Sequence, residues 1–202
     1  MFNPYAQGGW RNPANPNALG SSGNFPQPSI VGALPFPPRL PGPAPTLLSF
    51  SFASFNPSIL NCTVTGPQSR VYFRIVTDSP TVGFTVFLNA ANQPVVIIEW
   101  LENPVLEIRG LLSKRPTSEW LSLSRNRSHR KMEARGKVFV WVPGGDHIFL
   151  YSAGLGEPQL YAQVSRGENS VTMQVTAEAI QLGLLEVCVA ATFLLQSGRN
   201  ID

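Results

Sequence analysis

The octapeptide SRNRSHRK, Ser124 to Lys131, holds four cations: Arg125, Arg127, Arg130 and Lys131. Lys114 and Arg115 stand a short way upstream. Nine of the chain's fifteen Lys and Arg residues lie between positions 109 and 137, offset there only by Glu119 and Glu133. Guanidinium and ammonium groups gathered on one segment attract phosphate-bearing surfaces, each adding about 1 kcal/mol near an anionic leaflet. The candidate anion-binding residues are therefore Arg125, Arg127, Arg130, Lys131, Lys114 and Arg115. The plainer reading of the same residues is a solvated loop that keeps the protein in solution, and the sequence leaves both open. Nucleic acid is not the expected partner. The aromatic residues are spaced as strand core, away from the basic run, so they offer no stacking platform. A net charge of +3 is also too small to imply one.

Other chemistry is thinly represented. The two histidines are His129 and His147. Ser128 and His129 are adjacent, so on a strand their side chains diverge. Asp146-His147 follows two glycines, where a turn accounts for the aspartate. No G-x-S-x-G or C-x-x-C occurs, and Gly154-Leu155-Gly156 lacks the helix that a dinucleotide site needs. No catalytic residue, metal or cofactor is expected, and the chain reads as a non-enzyme. Its opening, MFNPYAQGGW, has no basic segment followed by an apolar one, so an intracellular, cytoplasmic protein is expected. Cys62 and Cys188 then read as buried free thiols.

The elements that must carry these residues fall into two blocks. Residues 1–45 hold eleven of the nineteen prolines and only Arg11 and Arg39 as charges. That segment cannot bury enough apolar surface to offset its ordering entropy and reads as a disordered tail. Its end, LPFPPRLPGPAP, favours polyproline II and contains the P-x-x-P spacings Pro35–Pro38 and Pro38–Pro41. It serves as a stiff linker, or as a docking site for a proline-motif-binding domain.

Residues 46–202 have a different texture. Eleven short runs rich in β-branched and aromatic residues follow one another between turn residues: 47–52, 59–65, 70–77, 81–88, 94–100, 105–110, 129–135, 137–142, 147–152, 159–164 and 170–175. Pro143-Gly144-Gly145 is a hairpin signal. The pattern predicts a mainly β domain, an antiparallel barrel or sandwich. A short helix is expected near 117–123, capped by Thr117 or Ser118, and a longer one over 176–196, capped by Thr176. The second is too charged to cross a membrane. Glu178 and Glu186 interrupt it, and its longest uncharged run is ten residues, where a span needs about 18 or more. Its polar positions, Glu178, Gln181, Glu186, Thr192 and Gln196, share one side and the rest is apolar, so the helix is expected to plug the barrel.

Particular residues carry a resemblance over about 50–202: Ile97–Trp100 (IIEW), Val105–Gly110 (VLEIRG), Ser118–Leu121 (SEWL), Gly136–Trp141 (GKVFVW) and the ending TFLLQSGRN, Thr192–Asn200. With the barrel-and-helix pattern, they resemble the tubby-like C-terminal fold of tubby, LURP-one proteins and phospholipid scramblases. The similarity is greater to a family of fungal proteins of unknown function with such a domain. The resemblance implies a β-barrel enclosing a C-terminal helix, and recognition of phosphoinositide surfaces through basic residues. The calcium-binding segment of scramblases has no counterpart, since nothing like D-x-D-x-D precedes the final helix. The expected function is a non-enzymatic binding module, peripheral at anionic membranes. An adaptor acting through the Pro-rich tail is the alternative.

Overall fold

The computed structural model describes residues 46–78, 83–154 and 156–202. The Pro-rich segment 1–45 and its P-x-x-P motifs lie outside the described residues. Among the described residues thirteen strands follow in order: β1 Leu47–Ala53, β2 Cys62–Thr65, β3 Val71–Thr77, β4 Phe84–Asn89, β5 Pro94–Glu99, β6 Val105–Ile108, β7 Leu112–Pro116, β8 Leu121–Leu123, β9 Arg130–Ala134, β10 Lys137–Gly144, β11 His147–Ser152, β12 Leu160–Arg166 and β13 Val171–Thr176. Helix α1, Thr117–Trp120, lies between β7 and β8, and α2, Ala177–Gln181, and α3, Leu185–Gln196, follow β13. All the strands belong to one sheet in the order β7-β6-β5-β4-β3-β2-β1-β13-β12-β11-β10-β9-β8, with every ladder antiparallel. Alternation sets the faces: Phe50 and Phe52 on β1, Ile75 on β3 and Phe139 and Trp141 on β10 point inward.

Eleven strands fall where the sequence predicts them, and two do not. β7 (LSKRP) and β8 (LSL) are short and form the two edges of the sheet, and β7 is polar. Lys, Arg and Pro are what an edge strand carries to discourage further pairing, so the strand signal of β7 is weak for a physical reason, whereas the three residues of β8 fall within the helix expected over 117–123. The helix expected over 117–123 stops at Trp120, and Leu121–Leu123 joins the sheet. Thr117 is not its cap but its first residue, buried, with Oγ1 donating to the carbonyls of Pro104 and Ile201 at 3.2 and 2.7 Å.

The terminal helix is two helices. Thr176 caps α2 as expected, accepting from the Ala179 N–H at 3.1 Å. Gly183 then turns left-handed (φ +68°), its N–H donates to Ile180 O, and the Leu184 N–H donates to Ala179 O. Those two bonds make a Schellman ending, which a glycine at that position favours. The expected polar side is also absent from α3: Thr192 and Gln196 are buried along with every residue from Val187 to Gln196. Thr192 satisfies its hydroxyl on Met173 Sδ at 3.3 Å.

The sheet curls around α3, which packs on both β5 and β13, five positions apart in the strand order. The Phe193 ring meets Phe87 of β4 edge-on at 5.0 Å and Trp100 at 6.3 Å. The sheet is not closed, for β7 and β8 do not pair, and α1 bridges them. Trp120 seals this seam: its indole N–H donates to Glu133 O at 3.1 Å, extending the β8–β9 ladder by one side-chain bond. No helix among the described residues is long and apolar enough to cross a membrane.

Candidate functional site

The basic run is the β8–β9 hairpin. Ser124 N donates to His129 O at 2.9 Å and closes the loop, and Arg127 N donates to Ser124 O at 2.8 Å to form a turn at the tip. Asn126 Oδ1 gathers the hydroxyls of Ser124 and Ser128 at 2.8 Å each and the Ser128 N–H at 3.2 Å. A short loop whose side chains bond its own backbone is held in one shape. Arg125 and Arg127 are exposed on it. Arg127 sits at φ +57°, a left-handed conformation that asparagine or glycine adopts more readily.

The six candidate residues separate. Arg130 and Lys131 are neighbours on β9 and therefore face opposite sides of the sheet. Lys131 points outward and is exposed. Arg130 points inward with none of its side chain accessible, so it is not available to an external anion, contrary to the sequence expectation. Its Nη1 and Nη2 donate to the two carboxylate oxygens of Asp202 at 2.7 Å each, and Nη1 also donates to Leu121 O at 2.8 Å. Lys114, on the outer face of β7, pairs with Glu99 of β5 at 2.5 Å, and Arg115 beside it is half-buried opposite Leu106. Neither is part of the β8–β9 loop. The exposed cations that remain together are Arg125, Arg127 and Lys131.

Ser128 and His129 do not diverge, because they lie on the loop and not on the strand; Ser128 Oγ and His129 Nδ1 are 3.0 Å apart. The serine's one proton goes to Asn126, so the imidazole N–H is the donor of that pair. Partial burial, and then the charge of Lys131, hold the His129 pKa below its ordinary value. Cys62 and Cys188 are free and buried, and burial pushes both thiols up to about 12. No group of three or more His, Cys, Asp or Glu among the described residues is gathered to hold a metal.

The sequence marked the strip that follows α3 only as part of the TFLLQSGRN resemblance and assigned its side chains no contacts. Arg199 lies over the Trp100 ring at 4.6 Å, Ile201 O accepts from Thr117, and Asp202 holds Arg130. These contacts carry the chain along one rim of the sheet, from the β5–β6 loop past α1 to the start of β9. Trp100 meets Phe193 of the core on one side and takes a cation on the other.

No known protein family matches this chain, and no curated protein matches it. Among solved structures, the X-ray structure of a protein from Arabidopsis thaliana is similar over 73% of this chain and 93% of that one, at 14% sequence identity and a TM-score of 0.37.

Proposed function

We propose that this chain is a non-enzymatic binding module of the tubby-like type, which docks at anionic lipid surfaces through the tip of the β8–β9 hairpin. The observation that carries the reading is the pair Arg125 and Arg127, exposed on a loop that its own hydrogen bonds hold in shape, with Lys131 on the outer face just below. Phosphoinositide headgroups present several phosphate oxygens at one place, which suits cations held close together on a rigid turn. Arg130, Lys114 and Arg115 have no part in this contact.

The test is co-sedimentation of the full chain with phosphatidylcholine vesicles, with and without a phosphoinositide, at low and physiological salt. Binding to the anionic vesicles that falls with salt and is lost in an Arg125→Glu/Arg127→Glu variant supports the reading. Equal recovery with neutral and anionic vesicles, or full retention by the variant, overturns it.

A further inference from the structure

Among the described residues, the large apolar side chains most open to solvent include Val76 (43% exposed), Phe84 (47%) and Leu101 (61%), and these three share one corner. Val76 stands opposite Val86, and Phe84 opposite Glu99, on the outer face of β3–β5. The Trp100 N–H donates to Gly83 O at 2.8 Å, which sets Leu101 beside Phe84. Behind them the Trp100 indole donates to Thr85 Oγ1 at 2.7 Å and carries Arg199 on its face. The corner and the basic loop lie on the same rim, since Arg199, Ile201 and Asp202 grip Trp100, Thr117 and Arg130 in succession.

Exposed Phe and Leu with Trp and Arg directly behind suit the boundary between headgroups and acyl chains, where the apolar groups leave water and amphipathic ones stay at the interface. The cations on the same rim complement an anionic leaflet. We propose that Phe84 and Leu101 insert into the outer acyl region of an anionic bilayer while Arg125 and Arg127 meet its headgroups. The inference rests on the lipid-binding reading above and adds an apolar component that salt does not screen. Asp78 and Glu102, exposed beside the pair, stay on the water side and limit entry to side-chain depth.

The experiment uses the full chain with Trp10→Phe, and phosphatidylcholine–phosphoinositide vesicles with acyl chains brominated at a shallow position. Trp120 and Trp141 are buried, so quenching reports on Trp100. The expected results are quenching of tryptophan fluorescence, residual binding at high salt, and loss of both in a Phe84→Ser/Leu101→Ser variant. That variant's affinity for the anionic vesicles falls about tenfold or more, and it still unfolds in one cooperative transition with a midpoint only modestly lower, because neither side chain belongs to the buried core. Anionic binding without quenching, and with full retention by the variant, overturns insertion while leaving the electrostatic contact standing. Absence of binding to any vesicle overturns both. A dimer in sedimentation velocity that the same substitutions dissolve assigns the corner to a second copy and also overturns insertion.

Discussion

Arg130 and Asp202 form a two-pronged ion pair, both contacts at 2.7 Å, that ties the segment after α3 to the first residue of β9. The guanidinium is fully buried and the carboxylate 30% exposed. Removing one partner strands a buried charge, so Asp202→Ala is expected to destabilise the fold by about 2 kcal/mol, less than a fully enclosed pair because water reaches the carboxylate. Arg130→Lys should fare little better, since an ammonium cannot span both oxygens and Leu121 O together. Urea unfolding midpoints measure both, and neither variant should alter vesicle binding, which separates this arginine from its neighbours on the loop.

Arg127 differs from Arg130 in being exposed. Its left-handed backbone costs a non-glycine residue about 1 kcal/mol. Arg127→Gly relieves that strain, and its expected effect is weaker binding to anionic vesicles, measured by co-sedimentation. A variant that binds normally would show that the loop's charge at this position plays no part.

Gly183→Ala is expected to destabilise by about 1–2 kcal/mol, read from the same urea midpoints, because φ +68° is unfavourable to any side chain with a Cβ. The added methyl also meets the Arg135 guanidinium at 2.9 Å, but that is the far end of a flexible side chain and can move. A neutral outcome would mean that the Schellman turn contributes nothing to placing α3.

These residues also show how much could be read in advance. The interior strands were legible because β-branched and aromatic residues alternate between turn signals, and the burial of α3 followed from its apolar surface. Gly183 was visible as the one turn residue between Thr176 and Gln196, but a single glycine inside an apolar run is consistent with either a continuous helix or a break. Edge strand β7 hid because edges select against strand-like composition, and β8 hid because three residues directly after a helical turn carry no period of their own. In the candidate site, proximity in sequence grouped Arg130 with Lys131, although a strand puts adjacent residues on opposite faces. Asp202, which explains the inward arginine, is 72 residues away, and no local pattern announces such a partner.

His129 links the loop to pH. Its pKa is held below the ordinary 6.5, first by burial and then by Lys131. Between the folded value and 6.5 the unfolded chain takes up a proton that the folded chain refuses. The contribution of His129 to stability is thus fully present above 6.5 and is lost as pH falls through that window. An anionic leaflet acts in the other direction, favouring the imidazolium that would join Arg125, Arg127 and Lys131. Binding to phosphoinositide vesicles should therefore tighten as pH falls below 6.5, with a midpoint that shifts upward when lipid is in excess. His129→Gln should flatten the response and His147→Gln should leave it unchanged. Vesicle affinity measured from pH 7.5 to 5 decides the matter by the difference between the two chains, since headgroup phosphates themselves gain protons at about pH 6: coincident profiles for the unsubstituted chain and His129→Gln would place the imidazole outside the lipid contact.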